Sequence, residues 1–255
     1  DNMSTNTFGS SVSSVTSSGC IAKKDMSLNT LDRSLVGYWD MESVTSSGLL
    51  KDLSGNGWNG KCYNSSLEAS SGSCLTTGPT TLSGSMNFDG TIGKSVRILN
   101  SSGVLAGQKQ LTIMGVVKGY CDTPTGNCII IRTGTGVATV KSLNYPKGTF
   151  TSEVSTNNAN YKFFSTNKIS NTTDYAVMGT VTYDGQKVKI YENGTLKKQY
   201  DWTGSISNSG VDWYIGKMFP QDPTNSFSGS INEIKIYSRA ISESEIKQQA
   251  NIMGF

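Results

Sequence analysis

The chain of 255 residues contains no histidine. Ser-His-Asp and Cys-His catalysis are thereby excluded, as are His-ligated zinc, copper and non-haem iron sites. Alanine is scarce, at eight residues, and charged residues make up only 16% of the chain. Both shortages starve long surface helices of their preferred formers. No apolar run approaches the ~20 residues of a spanning helix. The longest candidate, Leu111 to Val117, is interrupted by Thr112 and Gly115. A net charge of +3 gives no electrostatic footprint for nucleic acid or anionic membrane.

What is abundant is hydroxyl. Ser (37) and Thr (27) make up a quarter of the chain, which favours strands and polar loops. Apolar residues at 35%, with 28 glycines, still allow a packed core. The length suits one large β-domain or two small domains.

Residues 1–33 stand apart. Ten of the first 19 are Ser or Thr, and such a segment cannot bury enough surface to fold alone. It reads as a linker, or as an arm that pairs with a neighbouring chain. From residue 34 on, strands and turns alternate. Leu35 to Met41, Leu111 to Val117, Cys128 to Arg132, Val137 to Val140 and Tyr161 to Ser165 have strand composition. Between Tyr175 and Tyr200, Asp184-Gly185 and Asn193-Gly194 separate alternating runs, which predicts a three-strand meander. Val188 and Ile190 fall on one face of it; Lys187, Lys189 and Tyr191 fall on the other, expected to be solvated. One short helix is expected at the C-terminus, because Ser242 and Glu245 have capping-box spacing ahead of Ile246 and Ala250.

Five cysteines occur, and two pairs are close in sequence. Cys62 with Cys74 and Cys121 with Cys128 each bracket a polar stretch, the pattern of loops closed by disulfides. Bridges would imply an oxidising, extracellular setting; reduced buried thiols are the alternative. Cys20 is left over, free or paired with another chain.

Seven segments occur in an order that resembles a known family. They are SLVGYWDMES at 34–43, LLKDLSGNGWNG at 49–60, GSMNFDG at 84–90, LTIMGVVK at 111–118, VTYDGQKVKIYENGTL at 181–196, WYIGK at 213–217 and FSGSINEIKIYSRAISESEI at 227–246. Together they resemble the laminin-G-like jelly-roll domains of the concanavalin A-like lectin/glucanase superfamily, over about residues 34–254. The resemblance implies an all-β fold: a two-sheet antiparallel jelly-roll sandwich, here with one short C-terminal helix. It also implies a glycan-binding or adhesive module, often stabilised by calcium. By position, calcium ligands would be Asp52, Asn56, Asn59 and Asn232, all oxygen donors of the right kind. Asn232 stands where the family commonly has Asp, so a hydrogen-bonded turn without metal is the alternative.

Aromatic faces stack on sugars. Trp39 and Trp213 lie in strands and are expected in the core. Trp58, in a loop of small residues, and Trp202, in a turn, are candidate glycan platforms or covers for a hydrophobic edge. No acid triad of the related glucanases occurs, and Asp40 with Glu42 is the only strand-like acidic pair. The expected function is therefore a non-catalytic, extracellular glycan-binding or adhesion module on a cell surface or appendage. A structural subunit of a filament or pilus-like appendage, contacting copies of itself, is the alternative; a glycoside hydrolase is a remote one.

Overall fold

The computed structural model describes residues 32–64, 71–76, 79–82, 84–90, 94–99, 105, 108–119, 128–133, 142–146, 148–156, 161–166, 175–206, 212–217 and 225–255. Most of the N-terminal arm, Cys20, Cys121 and the expected strand at Val137 to Val140 lie outside the described residues.

Among the described residues sixteen strands and one helix follow in chain order. They are β1 (Leu35–Trp39), β2 (Gly60–Asn64), β3 (Ser71–Gly72), β4 (Thr80–Leu82), β5 (Ser85–Asp89), β6 (Lys94–Ile98), β7 (Leu111–Gly119) and β8 (Ile129–Thr133). Then come β9 (Ser142–Asn144), β10 (Thr151–Ser155), β11 (Tyr161–Ser165), β12 (Val177–Tyr183), β13 (Lys187–Glu192), β14 (Thr195–Asp201), β15 (Trp213–Ile215), β16 (Ser228–Tyr237) and α1 (Glu243–Ile252). Sheet A has the order β14-β13-β12-β7-β16-β5-β4, with β1 also paired to β16. Sheet B has the order β11-β10-β9-β8-β15-β6-β2-β3. All recorded pairings are antiparallel, as in a jelly-roll sandwich.

The core fills with the inward residues of both sheets. Trp39, Phe88, Ile113, Val181, Ile190, Ile234 and Ile236 meet Val96, Ile98, Ile131, Leu143, Val154, Phe164 and Trp213 in one cluster. Trp39 and Trp213 are core residues, as their strand positions predict. Gly179 and Gly115 show how tightly the sheets approach. A Cβ on Gly179 would sit 2.1 Å from Phe150 Cε1, and one on Gly115 would sit 3.1 Å from Ile130.

The two predicted hairpins are present. Asp184 Oδ1 accepts from the backbone N–H groups of Gln186 and Lys187, and Asn193 and Gly194 both have positive φ. The capping box also forms: Ser242 Oγ accepts from Glu245 N, while Glu245 Oε2 accepts from Ser242 N.

The outer faces of the two sheets differ. Helix α1 lies on sheet A, where Ile241, Ile246 and Ala250 form a second cluster with Leu35, Met114, Val116, Met178, Tyr191 and Tyr237. That helix corrects the expectation that Tyr191 is solvated, since Tyr191 is buried beneath it. At one side of the sandwich the edge strands β11 and β14 are joined. Tyr200 Oη donates to Ser165 O, and its ring packs on Phe164.

Candidate functional site

The segment between β1 and β2 carries the chain from sheet A to sheet B, and its turn is built around Asp52. Asp52 Oδ1 accepts from the N–H groups of Tyr38 and Ser54 at 3.0 and 2.9 Å. Its Oδ2 accepts from Ser54 Oγ at 2.8 Å and from Trp58 N at 3.0 Å. Asn59 Oδ1 accepts from Asp52 N, and Asn56 directs its Nδ2 toward Val36 O and Ser54 Oγ.

The structure thus brings Asp52, Asn56 and Asn59 together, but as a closed hydrogen-bonded turn. Both carboxylate oxygens are saturated by donors, and Asn56 points a donor inward. This donor set does not fit a calcium ion, which needs six to eight unencumbered oxygens. Asn232 does not join the turn. It sits at a bulge of β16, and its Nδ2 donates to Gly84 O at 3.0 Å. Among the described residues no group of three His, Cys, Asp or Glu side chains could hold a metal.

The candidate platforms Trp58 and Trp202 are only partly buried, but both pack against the core. Trp58 is fixed through its backbone, where its carbonyl accepts from Trp39 Nε1 at 2.9 Å. Trp202 lies at the seam between the sheets, edge-on to Phe164 with ring centroids 5.8 Å apart, and Lys162 Nζ lies 5.9 Å from its centroid. Its Nε1 is buried with no acceptor among the described residues. These contacts use much of both rings.

Cysteine chemistry follows the expected pairing where the residues are described. Cys62 and Cys74 form a disulfide with Cα atoms 5.1 Å apart. Cys128 is disulfide-bonded as well, while Cys121, its expected partner, lies outside the described residues. The acidic pair is structural: Asp40 caps Glu42 N, Ser43 N and Ser43 Oγ, and Glu42 accepts from Gly84 N.

Sequence reasoning missed the outer face of sheet B. Seven residues form one rung straight across it. Lys61 lies opposite Arg97, Arg97 opposite Tyr214, Tyr214 opposite Arg132, and Arg132 opposite Ser142. Ser142 Oγ accepts from Glu153 N at 3.0 Å, and Glu153 lies opposite Phe163. Six steps at the usual strand spacing make the rung about 29 Å long.

The middle of the rung is buried and the ends are not. Arg132 and Glu153 are 7% and 2% exposed, whereas Lys61, Arg97 and Tyr214 are half-buried and Phe163 is 43% exposed. Arg132 faces Glu153 with NH1–Oε1 3.3 Å and NH2–Oε2 3.0 Å, the second contact held by charge rather than by an aligned hydrogen bond. Burial pushes the Glu153 carboxyl up, and Arg132 partly offsets this. Arg97 is clamped to Asp212 through Nε and NH2, both at 2.8 Å, which holds the guanidinium charged.

Beside the rung, Asn144 Oδ1 and Thr151 Oγ1 are buried with no hydrogen-bond partner among the described residues, on directly opposed residues. The face offers planar polar groups, hydroxyls and rings. The signal was the alternation of Ser142 and Asn144 around Leu143, and of Thr151, Glu153 and Ser155 around Ser152 and Val154. Short strands of this kind carry too little periodicity to be read alone.

Comparisons with known proteins agree on the fold. Domain 4 of AbnA, an extracellular arabinanase from Geobacillus stearothermophilus solved with arabinotriose, is 16% identical, with a TM-score of 0.58 over 85% of this chain and 98% of that one. The receptor binding domain of botulinum neurotoxin C/D mosaic serotype is 14% identical, with a TM-score of 0.63 over 86% of this chain and 51% of that one. The binding domain of Paraclostridial Mosquitocidal Protein 1 has 14% identity and a TM-score of 0.59 over 86% and 52% of the two chains. No curated protein sequence matches. The family profile that does match spans residues 90–247, more than half of the chain: the protein belongs to the concanavalin A-like lectin/glucanases superfamily, as a laminin-G-like jelly-roll domain.

Proposed function

We infer that this domain is a non-catalytic, extracellular glycan-binding module whose ligand lies along the outer face of sheet B. The observation that carries the reading is the rung from Lys61 through Arg97, Tyr214, Arg132 and Glu153 to Phe163. Sugars present hydroxyls at their edges and C–H groups on their faces. The Lys61 and Arg97 side chains offer charged donors to the hydroxyls, and the Tyr214 and Phe163 rings offer faces to the C–H groups. Buried Arg132 and Glu153 hold the middle of the sheet rigid; Lys61, Arg97, Tyr214 and Phe163 supply the reachable contacts.

The similar folds support this reading by analogy, since one of them was solved with arabinotriose and others are toxin binding domains. Two features support the absence of hydrolysis. A raised carboxyl such as Glu153 would suit a general acid, but Glu153 is paired with Arg132 and 2% exposed. Asp212, a second acid on this face, is held by Arg97. The Cys62–Cys74 bridge supports an oxidising compartment outside the cell.

A glycan array followed by calorimetry tests the proposal. A ligand should emerge, and Tyr214→Ala and Phe163→Ala should each weaken it about tenfold, roughly 1.4 kcal/mol. An array without any binder, or a binder indifferent to both substitutions, sinks it.

A further inference from the structure

The outer face of sheet A holds a lysine, a carboxamide and a carboxylate in contact beneath helix α1. Lys235 lies on β16 between Tyr38 of β1 and Met114 of β7, and it is wholly buried. Its Nζ is 2.9 Å from Gln249 Oε1 on α1 and 2.8 Å from Glu233 Oε1 on its own strand. Gln249 is itself only 6% exposed. Tyr38 completes the arrangement: its ring centroid is 5.0 Å from Nζ, and its hydroxyl donates to Glu233 Oε2 at 3.2 Å.

A buried amine, an electrophilic carbonyl and a proton carrier within hydrogen-bond distance are the parts needed for amide exchange. We propose that Lys235 and Gln249 form an intramolecular isopeptide bond, with Glu233 carrying the proton, which staples α1 to β16.

The step balances without any co-reactant. Glu233 takes a proton from the Lys235 ammonium, and the neutral Nζ attacks Gln249 Cδ, one bond behind the oxygen it already contacts. A Cδ–Nζ bond forms. Glu233 passes its proton to Gln249 Nε2, the Cδ–Nε2 bond breaks, and ammonia departs. Ammonia takes up the remaining proton of the attacking nitrogen's pair as ammonium, leaving a neutral secondary amide and the Glu233 carboxylate. Two features of the site favour the forward direction. Fixed contact gives an effective concentration no dissolved amine reaches, and a carboxylate in direct contact relays protons as general base and then general acid. Burial also lowers the affinity of Lys235 for its proton, against the pull of Glu233, which eases formation of the nucleophile. The product replaces a buried charge with a neutral amide and closes a link across 14 positions of sequence.

Intact-mass spectrometry of the full reduced chain tests this directly. The expected mass is about 17 Da below that of the sequence, the loss of one ammonia. Trypsin should leave the bond after Lys235 uncut, and a branched peptide should join the segments holding Lys235 and Gln249. Lys235→Arg, Gln249→Met and Glu233→Gln should each return the mass to that of their own sequence. A wild-type chain at full mass with Lys235 cleaved normally overturns the proposal, whatever the variants do. So does a deficit that persists in Gln249→Met, since succinimide formation at an Asn-Gly pair such as Asn193-Gly194 also expels ammonia. A deficit that persists in Glu233→Gln overturns the assigned proton carrier.

Discussion

Asp52 shows how one side chain organises a crossing between two sheets. It accepts four hydrogen bonds, three of them from the backbone N–H groups of Tyr38, Ser54 and Trp58. Through Tyr38 it fixes the end of β1, and through Trp58 it fixes the carbonyl that holds Trp39. Asp52→Ala would leave partly buried donors without acceptors, so we expect a loss of about 2–4 kcal/mol. A thermal melt with and without EDTA separates this role from a metal's. The wild-type melting temperature should not move with chelator, and a drop of several degrees would show that oxygens other than these four contacts hold a cation. The motif around Asp52 was legible as a structural turn. Whether its oxygens face cations or amides was not, because that depends on where the backbone of β1 lies, and β1 reaches the turn only after folding. Trp58 and Trp202 were open between platform and edge cover for the same reason, and both pack against the core. Loop residues have no periodicity to reveal which of them the sandwich edge will cover.

The short helix α1 is the element whose sequence signals were most complete and whose consequences were least so. Ser242, Glu245, Ile246 and Ala250 announced its start and its buried face, and all four behave as expected. That the helix would cover Lys235, Glu233 and Tyr191 was not legible. An alternating strand cannot announce that its polar face receives a lid from ten residues further on. The anchor is Arg239, which donates to both Glu245 oxygens and pairs with Asp32. The hydrogen bond from Arg239, aided by the Ser242 N–H and opposed by partial burial, holds the Glu245 carboxyl at about 2, below its usual 4.5. A lowered carboxyl stabilises the fold above its unfolded value and loses that contribution as the pH falls through its folded one. Glu245 is substantially exposed, so solvent screening reduces its worth to about 1 kcal/mol. Glu245→Gln should therefore lower the melting temperature at pH 7 and cost progressively less between about pH 5 and pH 2. If wild type and variant melt in parallel across that range, the ion pair contributes nothing to stability.

At the scale of the whole molecule, the sandwich was legible from the order of seven weak segments, because that order resembles the laminin-G-like family and so implies its two-sheet fold. The polar rung of sheet B was not, because it joins Lys61 to Phe163 across seven strands whose neighbours are remote in sequence. Topologies with so many distant pairings lose loop-closure entropy before those contacts form, and a covalent tie in the unfolded chain lessens that loss. Cys62–Cys74 is one such tie, closing a 12-residue separation on the side of sheet B where β2 pairs β3. In the loop model this is worth roughly 3 kcal/mol. Both sulfurs belong to buried residues, 0% and 1% exposed, so reductant should reach them only when the domain opens. Native protein incubated with a phosphine reductant should keep its melting temperature. A Cys62→Ser/Cys74→Ser pair, which keeps the other cysteines intact, should melt well below wild type, by the several degrees that ~3 kcal/mol implies. Rapid reduction of the native protein would mean that the β2–β3 edge opens freely in solution. A serine pair as stable as wild type would mean that the unfolded chain gains little freedom from losing the bridge.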